Sequence, residues 1–164
     1  MAPVASNPSV LFVCLGNICR SPTGEGVMRH LLAARGLEDA IDVDSAGTGA
    51  WHVGNPADPR MRRAAEGRGI PLESLARQAV AEDFDRFDLV IAMDWDNHRD
   101  LRRMAREAGR RDPENLFLFS DFLPTDRPRD VPDPYYGGEA GFEEVLDLVE
   151  EGCPNILERL LEVP

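Results

Sequence analysis

The residue types best suited to chemistry in this chain stand close together, in Cys14-Leu15-Gly16-Asn17-Ile18-Cys19-Arg20-Ser21-Pro22. A thiol at a helix N-terminus and near a guanidinium loses its proton well below its free pKa of about 8.5, which makes Cys14 a candidate nucleophile. Arg20 brings a planar fork of donors matched to phosphate oxygens. Between them, Gly16 and Asn17 tolerate positive φ, which lets successive N–H groups curl into an anion-binding nest. The loop therefore offers a seat for a phosphate-sized anion and a nucleophile facing it. A cysteine and an arginine at this spacing are weak evidence alone. They would otherwise be a buried strand-end thiol beside a salt-bridged arginine.

The flanking segments make the reading specific. Val10-Leu11-Phe12-Val13 is a β-branched and aromatic run that predicts a buried strand, and Ser21-Pro22 is suited to opening a helix. A sharp strand-to-helix turn aims backbone N–H groups and the positive end of the helix dipole at one point. A second candidate lies in Asp130-Val131-Pro132-Asp133-Pro134-Tyr135-Tyr136-Gly137-Gly138. Asp133, held between two prolines on a stiff backbone, has the placement of a general acid. In isolation the same residues read as an Asp-Pro turn with surface tyrosines.

The elements that must position these groups alternate along the chain. A helix is predicted over Thr23–Arg35, with Gly24 and Gly26 in its first turns allowing close backbone packing. A strand over Ile41–Ala46 runs into the glycine-rich stretch Gly47–Pro56, a long loop of the kind that often carries function. Further on come a helix over Pro59–Arg68 and a strand over Asp88–Met93. Asp94 is a predicted N-cap for a helix from Trp95 to Ala108. A last strand spans Asn115–Ser120, and Gly152 and Pro154 are expected to kink or split the C-terminal helix. This alternation implies an α/β fold, with a parallel sheet covered by helices on both faces. Ligands of such sheets bind beyond the carboxyl ends of the strands, where Cys14 falls.

Composition narrows the partners. The 164 residues suit a single domain, with residues 1–8 expected to be a loose tail and 9–164 the domain. A net charge of −12 argues against nucleic acid or an anionic membrane as the main partner. No apolar run is long enough to insert in a membrane, no signal peptide is visible, and three cysteines make no disulfide framework. A reducing cytoplasm is the expected location. His30, His52 and His98 show no metal-ligand spacing, so no metal is expected. The arginines from Arg102 to Arg111 read as a solvated face. Cys153 reads as a core residue of the last helix, and Trp95 as packing or rim.

Taken together, Cys14 to Pro22, Ser45-Ala46-Gly47-Thr48 and Asp133-Pro134-Tyr135-Tyr136-Gly137 resemble the low-molecular-weight protein tyrosine phosphatases. The resemblance implies a single-domain, four-stranded parallel sheet in flavodoxin-like order. It implies phosphomonoester hydrolysis through a phosphocysteine, without metal or organic cofactor, on phosphotyrosine in proteins or small aryl phosphates, releasing inorganic phosphate. By matching position, Cys14 is the nucleophile, Arg20 the phosphate clamp, and Asp133 the general acid and then base. Leu15, Gly16, Asn17, Ile18, Cys19 and Ser21 form the phosphate loop, and Ser21 donates to the Cys14 sulfur. Asn17 and Ser45 support the loop. Trp51 and Tyr135 line the cleft, and Tyr136 lies at its rim. Ser74 stands where many members carry a histidine behind the loop, which is a departure. Cys19 is a possible redox partner of Cys14, and a monomer is expected. Two rival readings remain: an arsenate reductase on the same loop, and a non-catalytic anion or phosphotyrosine binder. No cysteine lies between Cys19 and Cys153 to resolve an arsenate-reduction product.

Overall fold

The computed structural model describes residues 6–164. Most of the expected tail, residues 1–5, lies outside the described residues. Its end is tied down: Asn7 Nδ2 donates to the Asp39 carbonyl at 3.0 Å, and the Pro8 carbonyl accepts from Asp42 N–H at 2.9 Å.

Four parallel strands, β1 (Ser9–Cys14), β2 (Asp42–Gly47), β3 (Leu89–Ala92) and β4 (Leu116–Leu118), line up in the order β2-β1-β3-β4. This is the flavodoxin-like order. Every residue of β1 is buried, because helices cover both of its faces. Alternate residues of β1 therefore enter two different cores. Val10 and Phe12 face α1 (Arg20–Ala34), α2 (Pro59–Glu66) and α5 (Glu139–Leu161). Leu11 and Val13 face α3 (Asp83–Arg86) and α4 (Trp95–Glu107), which supply Phe84 and Leu101.

Close packing explains Gly24, whose missing Cβ would sit 2.7 Å from the Phe12 ring. The short α3 was not expected from sequence. The last strand stops at Leu118, and a 3₁₀ turn over Phe119–Phe122 follows. The C-terminal helix runs unsplit from Glu139 to Leu161 through Pro154. Its apolar face, from Phe142 to Leu160, is buried along its whole length and outweighs the roughly 3 kcal/mol that an interior proline costs. Gly152 is not a break either, since it makes room for the Phe119 ring, 2.5 Å from where a Cβ would lie.

Strand register brings the site to one edge. Cys14 pairs with Gly47 at the carboxyl ends of β1 and β2, and Val131 N–H donates to the Met93 carbonyl just past β3. The segment carrying Asp133 is thus stitched to the same edge as Cys14.

Candidate active site

A cavity of about 300 Å³ opens at that edge, lined by Cys14, Leu15, Gly16, Ile18, Cys19, Arg20, Trp51, His52, Asp133, Tyr135 and Tyr136. Nearly all the residues expected at the site from sequence meet here. Asn17, Ser21 and Ser45 are buried behind the cavity wall, as supports would be.

The loop turns from β1 into α1 through Asn17, which alone among the described non-glycine residues has a positive φ, of 57°. Gly16 tolerates that conformation but does not adopt it. Its bareness instead lets His52 approach, to 3.0 Å from where a Cβ would lie. Helix α1 begins at Arg20, three residues earlier than its periodicity predicts, with no side chain capping it. Among the described residues, no protein acceptor is bonded to the backbone N–H groups of Gly16 through Arg20. Those donors are free to hold an anion over Cys14.

Side-chain hydrogen bonds hold the loop from behind. Asn17 Nδ2 donates to Ser21 Oγ at 2.8 Å and to Ser45 Oγ at 3.0 Å, while its Oδ1 accepts from Arg77 N–H at 3.0 Å. Ser45 Oγ donates in turn to Glu25 Oε1 at 2.7 Å, and Glu25 Oε2 accepts from Arg29 at 3.0 Å. Ser21 Oγ lies 3.0 Å from Cys14 Sγ. Because Asn17 already donates into Ser21 Oγ, the serine hydroxyl proton is free to point at the sulfur or, at 3.3 Å, at the Ala46 carbonyl. Ser74 takes no part: it lines a separate cavity with Glu25 and Arg29 and makes no hydrogen bond among the described residues. Glu25 and the Arg77 backbone provide the support from behind.

Arg20 is 3 % exposed. Its NH1 group donates to Asp94 and, at 3.1 Å, to the Val131 carbonyl. Its NH2 lies 3.7 Å from Asp133. With NH1 committed, the Nε–H and NH2 edge remains as a two-pronged donor for an anion. Burial works against the charge of Arg20, but Cys14, Asp94 and Asp133 outweigh it and hold its pKa above the ordinary value. Asp94 was read from sequence only as a helix cap. It does cap α4, accepting from Asn97 N–H at 2.7 Å, and it also anchors Arg20.

Asp133 stands at the mouth of the cavity, its Oδ1 accepting from Tyr135 N–H at 3.1 Å. The Tyr135 ring packs 6.3 Å from His52, while Tyr136 is 92 % exposed and Trp51 73 % exposed. Trp95, also well exposed, lies outside the cavity. His52 is the lining residue that sequence reasoning missed. Its place in the glycine-rich loop after β2 was the available signal. Cys19 is buried, and burial, followed by the carboxylate of Asp58, pushes its thiol pKa well up. Cys153 is fully buried against α1 and does not line the cavity.

Fold and site together define an α/β protein with a cysteine-bearing anion loop at the carboxyl edge of a parallel sheet. Comparison with known proteins gives the same answer. A family model described as low molecular weight phosphotyrosine protein phosphatase matches residues 9–163. A putative low molecular weight protein-tyrosine-phosphatase of Synechocystis is 45% identical over 151 residues, which is 92% of this chain and 95% of that protein. The crystal structure of YfkJ from Bacillus subtilis superposes with a TM-score of 0.88 at 43% identity, covering 96% of this chain and 97% of that one. A protein tyrosine phosphatase from Entamoeba histolytica, crystallised with Hepes in its active site, gives 0.88 at 42% identity, with 95% and 98% covered. The chain belongs to the low molecular weight phosphotyrosine protein phosphatase family and is a protein-tyrosine phosphatase.

Proposed function

We propose that this chain hydrolyses phosphotyrosine on proteins in two steps through a phosphocysteine on Cys14. The observation that carries the reading is the run of unbonded N–H groups from Gly16 to Arg20, wrapped over Cys14 beside the free edge of Arg20. Such a cradle matches the equatorial oxygens of a phosphoryl group, where charge concentrates in the transition state. In the first step the Cys14 thiolate attacks phosphorus, the P–O bond to the aryl group breaks, and Asp133 protonates the departing oxygen. In the second, Asp133 takes a proton from water as it attacks phosphorus. The S–P bond then breaks, inorganic phosphate forms, and the thiolate leaves against the Ser21 hydroxyl.

The ring-bearing walls of the cavity, Trp51, His52 and Tyr135, support an aryl phosphate as the substrate. No metal or organic cofactor enters this chemistry. The arsenate-reductase alternative lacks further resolving thiols outside the loop, since no cysteine lies between Cys19 and Cys153 and Cys153 is sealed in the core. A non-catalytic binder leaves the pairing of Cys14 with Asp133 unexplained. Hydrolysis of p-nitrophenyl phosphate, blocked by orthovanadate, is the expected result. Binding of the anion without turnover would refute the reading.

A further inference from the structure

A second cavity, of about 530 Å³, adjoins the catalytic one and shares Leu15 and Trp51 with it. We infer that this cavity is a substrate subsite, which takes a lysine or arginine flanking the phosphotyrosine of the substrate polypeptide. The inference rests on the proposed function only in that the substrate is a phosphotyrosyl polypeptide.

Continuity is the first argument. Leu15 and Trp51 are 41 % and 73 % exposed and form the ridge between the two cavities, so a chain entering the catalytic cleft crosses directly into the second. Helix α4 sets the direction. It is capped by Asp94, which grips Arg20, and leads away with Asp100, Arg103, Met104 and Glu107 lining the cavity. Those positions lie on one helical face. A rise of about 1.5 Å per residue puts Asp100 about 9 Å and Glu107 about 20 Å beyond Asp94. An extended peptide covers about 3.3 Å per residue, so a side chain within about five residues of the phosphotyrosine reaches the cavity.

The chemistry of the walls selects the occupant. Val80, Met104 and Trp51 offer apolar surface suited to the aliphatic stem of a long basic side chain. Asp100 is already paired, with Arg103 at 3.1 Å and Arg99 at 3.8 Å. Glu107 forms no ion pair among the described residues, because Arg103 turns to Asp100 instead. An unpaired carboxylate beside apolar side chains calls for an ammonium or guanidinium on a hydrocarbon stem. The net charge of −12 steers basic segments toward the protein in the same sense.

The test is a set of phosphotyrosyl peptides in which one lysine is stepped from five residues before the phosphotyrosine to five after. Values of kcat/KM are measured on the wild type, Glu107→Gln and Glu107→Lys, with p-nitrophenyl phosphate and free phosphotyrosine as controls. Lysine at one or two adjacent positions should raise kcat/KM about two- to fivefold at low salt. Glu107→Gln should erase that gain, and Glu107→Lys should transfer it to peptides with glutamate at the same position. Both controls should be unchanged in the variants. A lysine preference that survives in the variants, or that is the same at every position, overturns the subsite. Failure of the wild type to hydrolyse either control would instead overturn the proposed function.

Discussion

Two loops meet over the catalytic cavity, and they are built in opposite ways. The loop from Cys14 to Arg20 is buried apart from Leu15 and Gly16, and it is fixed from behind through Asn17, Ser21, Ser45 and Glu25. The segment from Asp130 to Gly138 is held by Val131 at the end of β3, by the Arg60 bond to the Tyr135 carbonyl at 3.0 Å, and by its own turn. Its side chains are largely exposed. A fixed anion cradle must not reorganise during reaction, because its worth lies in donors already aimed. An acid that meets different leaving groups needs reach and contact with water. The rigid loop should therefore govern whether chemistry occurs at all, and the exposed one how well each substrate is served.

The largest expected effects test the rigid loop. Arg20→Lys replaces a fork by a point charge and loses the joint grip on Asp94 and the anion. It should lower kcat/KM about 10²- to 10³-fold with the fold intact by circular dichroism. On the exposed loop, Asp133→Asn should slow formation of the phosphoenzyme by about 10²- to 10⁴-fold for phosphotyrosine, whose phenol has a pKa of about 10. The loss should be far smaller for p-nitrophenyl phosphate, whose leaving group needs little help. Single-turnover kinetics on both substrates isolates that step, and equal losses would remove Asp133 from the role. Asp130 and Asp126 would be examined next.

Asn17 offers a sharper contrast. Asn17→Gly keeps the left-handed backbone but strips three hydrogen bonds, so it isolates the wiring from the strain. It should cost about 1–3 kcal/mol of stability, read by denaturant unfolding. Tyr136→Ala, on the exposed loop, should leave stability within about 0.5 kcal/mol and alter only KM.

Redox behaviour follows from the same contrast. Peroxide should convert Cys14 to a species that Cys19 captures as a disulfide, reversible by added thiol. The raised pKa of Cys19 makes that capture slow, so some over-oxidation of Cys14 should accompany it. Mass spectrometry checks both products, and Cys19→Ser should abolish recovery.

The smallest effect concerns the link between α2 and the two loops. Asp58 accepts from Arg60, which lowers its pKa below the ordinary 3.8. Its contribution to stability is therefore complete above that value and is lost as pH falls through the lower, folded-state value. Asp58→Asn should flatten that part of the acid-unfolding curve.

What was legible in the sequence was local. A β-branched run, a glycine-asparagine turn and a Ser-Pro helix start are neighbours in the chain, so the strand, the loop and Arg20 could be read together. The partners of that loop come from outside it, most of them from far along the chain. Glu25, Arg77 and Asp94 reach it through α1, a connecting segment and the start of α4, and their residue types announced only surface charge or a helix cap. Pro154 misled for a related reason. Its local cost is real, but the burial that outweighs it lies in elements remote in sequence.

The central claim is that Cys14 carries the phosphoryl group between the two steps. Rapid acid quenching during turnover of a radiolabelled aryl phosphate, followed by peptide mapping, tests it most directly. The account predicts label on the peptide containing Cys14, and none in Cys14→Ser, which should also lose at least about 10⁴-fold in kcat. Label on any other residue, or sustained turnover by a folded Cys14→Ser protein, would contradict it.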